Sequence, residues 1–124
     1  MEKTFVIFSA LLMFIGVGAG AFGAHGLSSY FEQYPNLKET YETAVRYHLI
    51  HGVALLGVAW AASQWPGGLT TWAGYLLLFG VGIFSGCLYL LVASRTSGLG
   101  AITPIGGVAF LAGWACLLLA AWRS

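Results

Sequence analysis

Long apolar runs alternate with three polar breaks along this chain. After Lys3 no formal charge occurs until Glu32; after Arg46 none occurs until Arg95, and the next is Arg123. The hydrocarbon core of a bilayer takes roughly 20 apolar residues per helix. The first and last intervals each suit one such helix. The middle interval suits two, and Ser63-Gln64-Trp65-Pro66-Gly67-Gly68 divides it with a strong turn signal. The pattern predicts an all-α membrane protein, a four-transmembrane-helix bundle with helices near residues 4–24, 44–63, 70–93 and 101–122. Residues 1–124 form a single integral membrane domain. Short connections make neighbouring helices antiparallel, and the even number of spans puts both termini on the same side.

Composition sharpens this picture. Hydrophobic residues make up 59% of the chain and charged residues 7%, against about 25% charged in soluble domains. So few charges cannot clothe a water-soluble surface, which makes the lipid bilayer the main solvent. A net charge of +1 gives no reason to expect a nucleic-acid partner. Cys87 and Cys116 fall inside predicted spans without metal-site spacing and read as small hydrophobes. Lys3, the first apolar run and Ala19-Gly20-Ala21 imitate a cleavable signal peptide. The glycine-rich face of that run argues instead for retention as a packed helix.

Lipid tails are as apolar as leucine, so membrane helices associate through close packing of small residues and through polar contacts. Gly16, Gly20 and Gly23 in the first span, Gly82 and Gly86 in the third, and Ala109 and Gly113 in the fourth have the spacing for such packing. The five tryptophans (Trp60, Trp65, Trp72, Trp114 and Trp122) read as anchors at the membrane surface.

Polar residues gather toward one membrane face. His25 ends the first span; Tyr47, His48 and His51 open the second; Ser85 and Tyr89 close the third; Thr103 precedes Pro104 at the start of the fourth. Alternating directions bring these seven to a common depth as a candidate polar cluster. Tyr47, His48 and His51 lie three and four residues apart, so they share a stripe of the helix. An imidazole in hydrocarbon is costly unless hydrogen-bonded, so His51 is expected to face inward. Gly23 and Gly26 flank His25 and would let its ring reach a partner on another helix. Ser85 has no base or acid nearby in sequence, so no catalytic residue is assigned. No metal ligand set and no cofactor is assigned either.

Four motifs, "GAFGAHGL" (20–27), "YHLIHGVALL" (47–56), "FSGCLYLL" (84–91) and "TPIGGVAFLAGW" (103–114), together resemble the YgdD/YwdK family of small bacterial inner-membrane proteins of unknown function, which has a mitochondrial transmembrane relative. The match runs nearly end to end, apart from the variable stretch 28–43. The resemblance implies a multi-pass protein of the bacterial inner (plasma) membrane and supplies no activity. The expectation is therefore a non-enzymatic structural or accessory component, within a homo-oligomer or a larger membrane complex. The alternative is a cofactor- or metal-binding redox or transport protein using the His25, His48 and His51 cluster.

Overall fold

The computed structural model describes every residue from Met1 to Ser124 and contains helices, turns and no strand. The helices are α1 (Glu2–His25), α2 (Ser28–Gln33), α3 (Pro35–Gln64), α4 (Gly68–Gly80), α5 (Gly86–Ser94) and α6 (Thr103–Trp122). A π-helical turn, Val81–Ser85, joins α4 to α5, and a 3-10 turn, Ser97–Ala101, leads into α6. Four segments are long and apolar enough to cross a membrane: Glu2–His25, Pro35–Gln64, Gly68–Ser94 and Ser97–Trp122.

The stretch 28–43 is helical apart from a bend at Tyr34. Pro35 sits in the first turn of α3, where its missing N–H does no harm and its fixed φ favours the helix. At ~1.5 Å per residue, the 30 residues of α3 exceed a ~30 Å hydrocarbon layer. Its first turns therefore stand in the headgroup region beside α2. There Phe31, Leu37, Tyr41 and Val92 close a small core between α2, α3 and α5. Arg95 ends α5 in the left-handed region at φ 57°. Its guanidinium lies 4.7 Å from the centroid of the Tyr34 ring and donates to the Tyr34 hydroxyl.

The helix α1 lies along α3, α3 packs on the third span, and α6 runs along α4 and the π turn. The main core joins Phe5, Leu55, Val58, Leu77, Val81 and Phe110. Only Phe5, Ser9 and Gly16 of α1 are buried, so this helix is an outer one that offers most of its surface to lipid.

Small residues set the helix crossings, but not all of those expected. Gly16 meets Leu49 and His48, Gly20 meets Val45, Gly23 meets the Tyr41 ring, and Gly113 meets Leu77 and the Ala73 carbonyl. Ala109 is buried in α6. Gly82 and Gly86 correct the reading: a side chain built at either would touch nothing within 4 Å. The close approach in this part of the bundle is made by Gly80 and Gly106, the latter directly against the Phe84 backbone. The π turn explains the displacement. Its wider i→i+5 winding keeps Leu77, Val81 and Ser85 on one buried stripe and turns Gly82 outward.

Candidate functional site

The second span carries the two histidines that the bundle encloses. His48 is 3% exposed and His51 5%. They stand three residues apart on α3, yet they face different neighbours and do not share one network.

His48 lies between α1 and α5. One ring nitrogen, Nε2, is 2.8 Å from the Leu12 carbonyl, which can only accept, so Nε2 carries the proton. The other, Nδ1, is 2.9 Å from the Tyr89 hydroxyl and accepts from it. His51 has the opposite tautomer. Its Nδ1–H donates to the Tyr47 carbonyl one turn earlier at 3.0 Å, and its Nε2 accepts from the Trp114 indole N–H at 3.0 Å. The imidazole of His51 also stacks on Phe110, with ring centroids 3.7 Å apart and planes 9° from parallel. Both rings are neutral in this arrangement, and each has its one N–H and its one lone pair engaged.

Hydroxyl groups repeat the same device. The hydroxyl of Ser9 donates to the Gly52 carbonyl at 2.7 Å, that of Ser85 to the Ala44 carbonyl at 2.8 Å, and that of Tyr41 to the Ala19 carbonyl at 2.5 Å. A helical carbonyl keeps a second lone pair beyond its own ladder bond, and these contacts use it. No buried side-chain nitrogen or oxygen is left without a partner.

Of the seven residues expected to converge, His48, His51, Ser85 and Tyr89 lie in this interior belt; the side chain of Tyr47 is exposed, and His25 and Thr103 stand apart. His25 is exposed at the end of α1. Successive residues of an α-helix turn by about 100°, so His25 points away from Gly16, the residue of α1 that faces α3. Thr103 is buried, but its hydroxyl returns to the Leu99 carbonyl at 3.2 Å and meets no histidine. Tyr47 contributes its carbonyl and its ring, which lies 4.6 Å from that of Phe84.

The tryptophan pattern places Trp114 among the surface anchors. It is instead the only side-chain hydrogen-bond partner of His51. Its position two turns inside the end of α6 was the signal against an interfacial role. Ser9, the one hydroxyl residue between Phe5 and Ala24, was the other missed signal.

The geometry is unfavourable to a metal or haem ligand set. The rings of His48 and His51 diverge, His25 is remote, and no three His, Cys, Asp or Glu side chains come together as a metal-binding group. A metal on either buried imidazole would have to displace Tyr89 or Trp114 from the lone pair it needs. Cys87 and Cys116 are free thiols, both partly buried. His25→Ala is expected to change detergent stability by less than about 0.5 kcal/mol, as for other surface changes. Thermal unfolding of the purified variant measures this.

The sequence matches the family model described as "Protein of unknown function (DUF423)" over residues 19–107. It is 42% identical to the UPF0382 membrane protein YwdK of Bacillus subtilis (strain 168), across 96% of each chain. It is 41% identical to the UPF0382 membrane protein SH2409 of Staphylococcus haemolyticus (strain JCSC1435), across 98% of this chain and 97% of the relative. A third relative, UPF0382 membrane protein SERP0230 of Staphylococcus epidermidis, is 43% identical across 95% of this chain and 94% of its own. No solved structure matches.

Proposed function

We propose, from the premise that this chain belongs to the DUF423 family and is a multi-pass bacterial membrane protein, that it is a non-enzymatic structural or accessory component of the plasma membrane. It works through its outer surfaces, within a homo-oligomer or a larger membrane complex. The observation that carries this reading is the opposed pair of tautomers. The buried histidines have every donor and acceptor engaged: three of the four bonds tie α1, α5 and α6 to α3, and the fourth, to the Tyr47 carbonyl, lies within α3. Polar side chains bonded across membrane helices stabilise a bundle by ~0.6 kcal/mol each on average, which suits a scaffold role. Reactive groups, in contrast, need a free lone pair or an accessible proton.

The test is a spectrum and a metal analysis of the detergent-purified protein. It is expected to be colourless, with metal well below one ion per chain by mass spectrometry. A Soret band, or stoichiometric metal lost in His48→Ala and His51→Ala, would overturn the proposal in favour of redox or transport chemistry. Cross-linking in intact membranes is expected to trap the chain with copies of itself or with a fixed membrane partner. Only monomer under those conditions would count against the accessory role.

A further inference from the structure

Away from the histidines, a lateral groove of about 820 Å³ opens where the end of α1, the helix α2 and the first half of α3 meet. Its floor is apolar and shallow in side chains, with Gly20, Gly23, Val45 and Leu49. Its rim carries Glu32 from α2 and Lys38, Glu42 and Arg46 from α3. The last three recur every fourth residue and so form one stripe along the helix. Arg95, on Tyr34, is the one charged side chain in the protein with a hydrogen-bond partner. The four rim charges make no hydrogen bond to the protein, although Lys38, Glu42 and Arg46 alternate in sign at the spacing of weak helical ion pairs.

Their depths differ in a way that matters. Val45 packs against Gly20, and Tyr41 packs against Gly23. Arg46, beside Val45, is thus level with Gly20, five residues before the end of α1. That is about 8 Å short of the end of this helix at ~1.5 Å per residue. The apolar run of α1 is only just long enough to cross a bilayer, so Arg46 stands below the plane at which α1 leaves the hydrocarbon. A guanidinium there needs an anion or must stretch outward to find one. Glu42 lies one turn nearer the surface and Lys38 two turns nearer.

We propose that this groove binds a zwitterionic aminophospholipid, with the phosphate on Arg46, the headgroup ammonium on Glu42 and Glu32, and an acyl chain along Gly20, Val45 and Leu49. The vertical order of charges is the argument. In such a lipid the phosphate is deeper and the ammonium shallower, and the rim has its cation deep and a carboxylate one turn above it. Arginine suits phosphate because its planar fork of donors can bind two oxygens at once. An anionic lipid with a glycerol headgroup would satisfy Arg46 but leave Glu32 and Glu42 to share the single cation of Lys38. Gly20 keeps bulk off the floor beside Val45, while the space over Gly23 is taken by the Tyr41 ring. This site shares no residue with the histidine belt, and its fate is independent of the accessory role proposed above.

The test uses native mass spectrometry of the full chain in mild detergent, with equimolar phosphatidylethanolamine and phosphatidylglycerol of matched acyl chains. One phosphatidylethanolamine per chain is expected, favoured about tenfold over phosphatidylglycerol. Arg46→Ala should weaken both adducts about tenfold, the effect of losing one charge-assisted contact. Glu42→Gln should abolish the preference between the two lipids, and Gly20→Leu should weaken both by filling the floor. Millimolar inorganic phosphate should displace neither lipid. Equal adducts in the unmodified protein, or adducts unchanged by Arg46→Ala and Gly20→Leu, would reduce the groove to ordinary annular lipid and overturn the proposal. Displacement by inorganic phosphate would overturn it in favour of a free-anion site. Arg46, Glu42 and Gly20 are not buried. If Arg46→Ala nevertheless failed to fold, the lipid ratio in Glu42→Gln would decide.

Discussion

Gly106→Ala is expected to cost roughly 2–3 kcal/mol of bundle stability, the upper range for forcing extra volume into a packed site. The added methyl would land on the backbone nitrogen, Cα and Cβ of Phe84 in the π turn. A flexible side chain could swing aside, but main-chain atoms held in a helix cannot. Relief requires α6 to back away from the third span, which would also loosen Phe110 from Gly80 and from His51. Gly82→Ala is the matched control, because a methyl there meets nothing within 4 Å. It is expected to be neutral or to gain ~0.5–1 kcal/mol, the usual benefit of alanine over glycine inside a helix. Denaturant titration of both variants in the same detergent checks the contrast. Equal stabilities would mean that α6 does not cross the third span at Gly106.

His48→Leu is expected to cost about 2–4 kcal/mol. It removes two interhelical hydrogen bonds, at ~0.6–1.7 kcal/mol each in membrane proteins. It also strands the Tyr89 hydroxyl, and an unpaired buried group adds ~1–3 kcal/mol. The loss is shared between two helices, because His48 ties α3 to Leu12 of α1 and to Tyr89 of α5. His51→Leu should cost less, roughly 1–2 kcal/mol, because one of its two bonds is to its own helix. The indole freed on α6 is 41% exposed, but two turns inside the span that surface faces hydrocarbon, so its stranded N–H narrows the gap to His48→Leu. Tyr89→Phe should cost about 1 kcal/mol, since it removes a single donor. The ranking is the informative result. If His51→Leu proved the more damaging, the stacking on Phe110 at 3.7 Å, not hydrogen bonding, would be the main stabilising contact of the interior.

The spans were legible because charge is costly in hydrocarbon and long charge-free runs therefore mark its extent. Each observed span contains the expected one, and the largest change is at α3, which begins at Pro35 instead of near residue 44. Amphipathic residues between 35 and 43 belong to a helix that outruns the bilayer, and an apolar count does not register such turns. Gly16, Gly20 and Gly23 lie against Leu49, Val45 and Tyr41 of α3, and that placement decides where His25 points. If Gly16, Gly20 and Gly23 face α3, a residue nine positions beyond Gly16 points the opposite way. Gly82 and Gly86 were misplaced for a different reason. Period-based reading assumes regular winding, and the π turn breaks the register at Val81. The acceptors of most interhelical bonds were invisible beforehand, since Leu12, Ala19, Ala44 and Gly52 offer main-chain oxygens whatever their side chains.

That last feature bears on how the outermost helix tolerates change. Tyr41 and His48 hold α1 by its peptide oxygens at Ala19 and Leu12, so those grips read the course of the main chain and ignore the identity of the residues. Drift among aliphatic side chains along the lipid-facing flank of α1 should leave its attachment intact. Exchange for bulk at positions 16 or 23 would lift the whole helix off both grips at once.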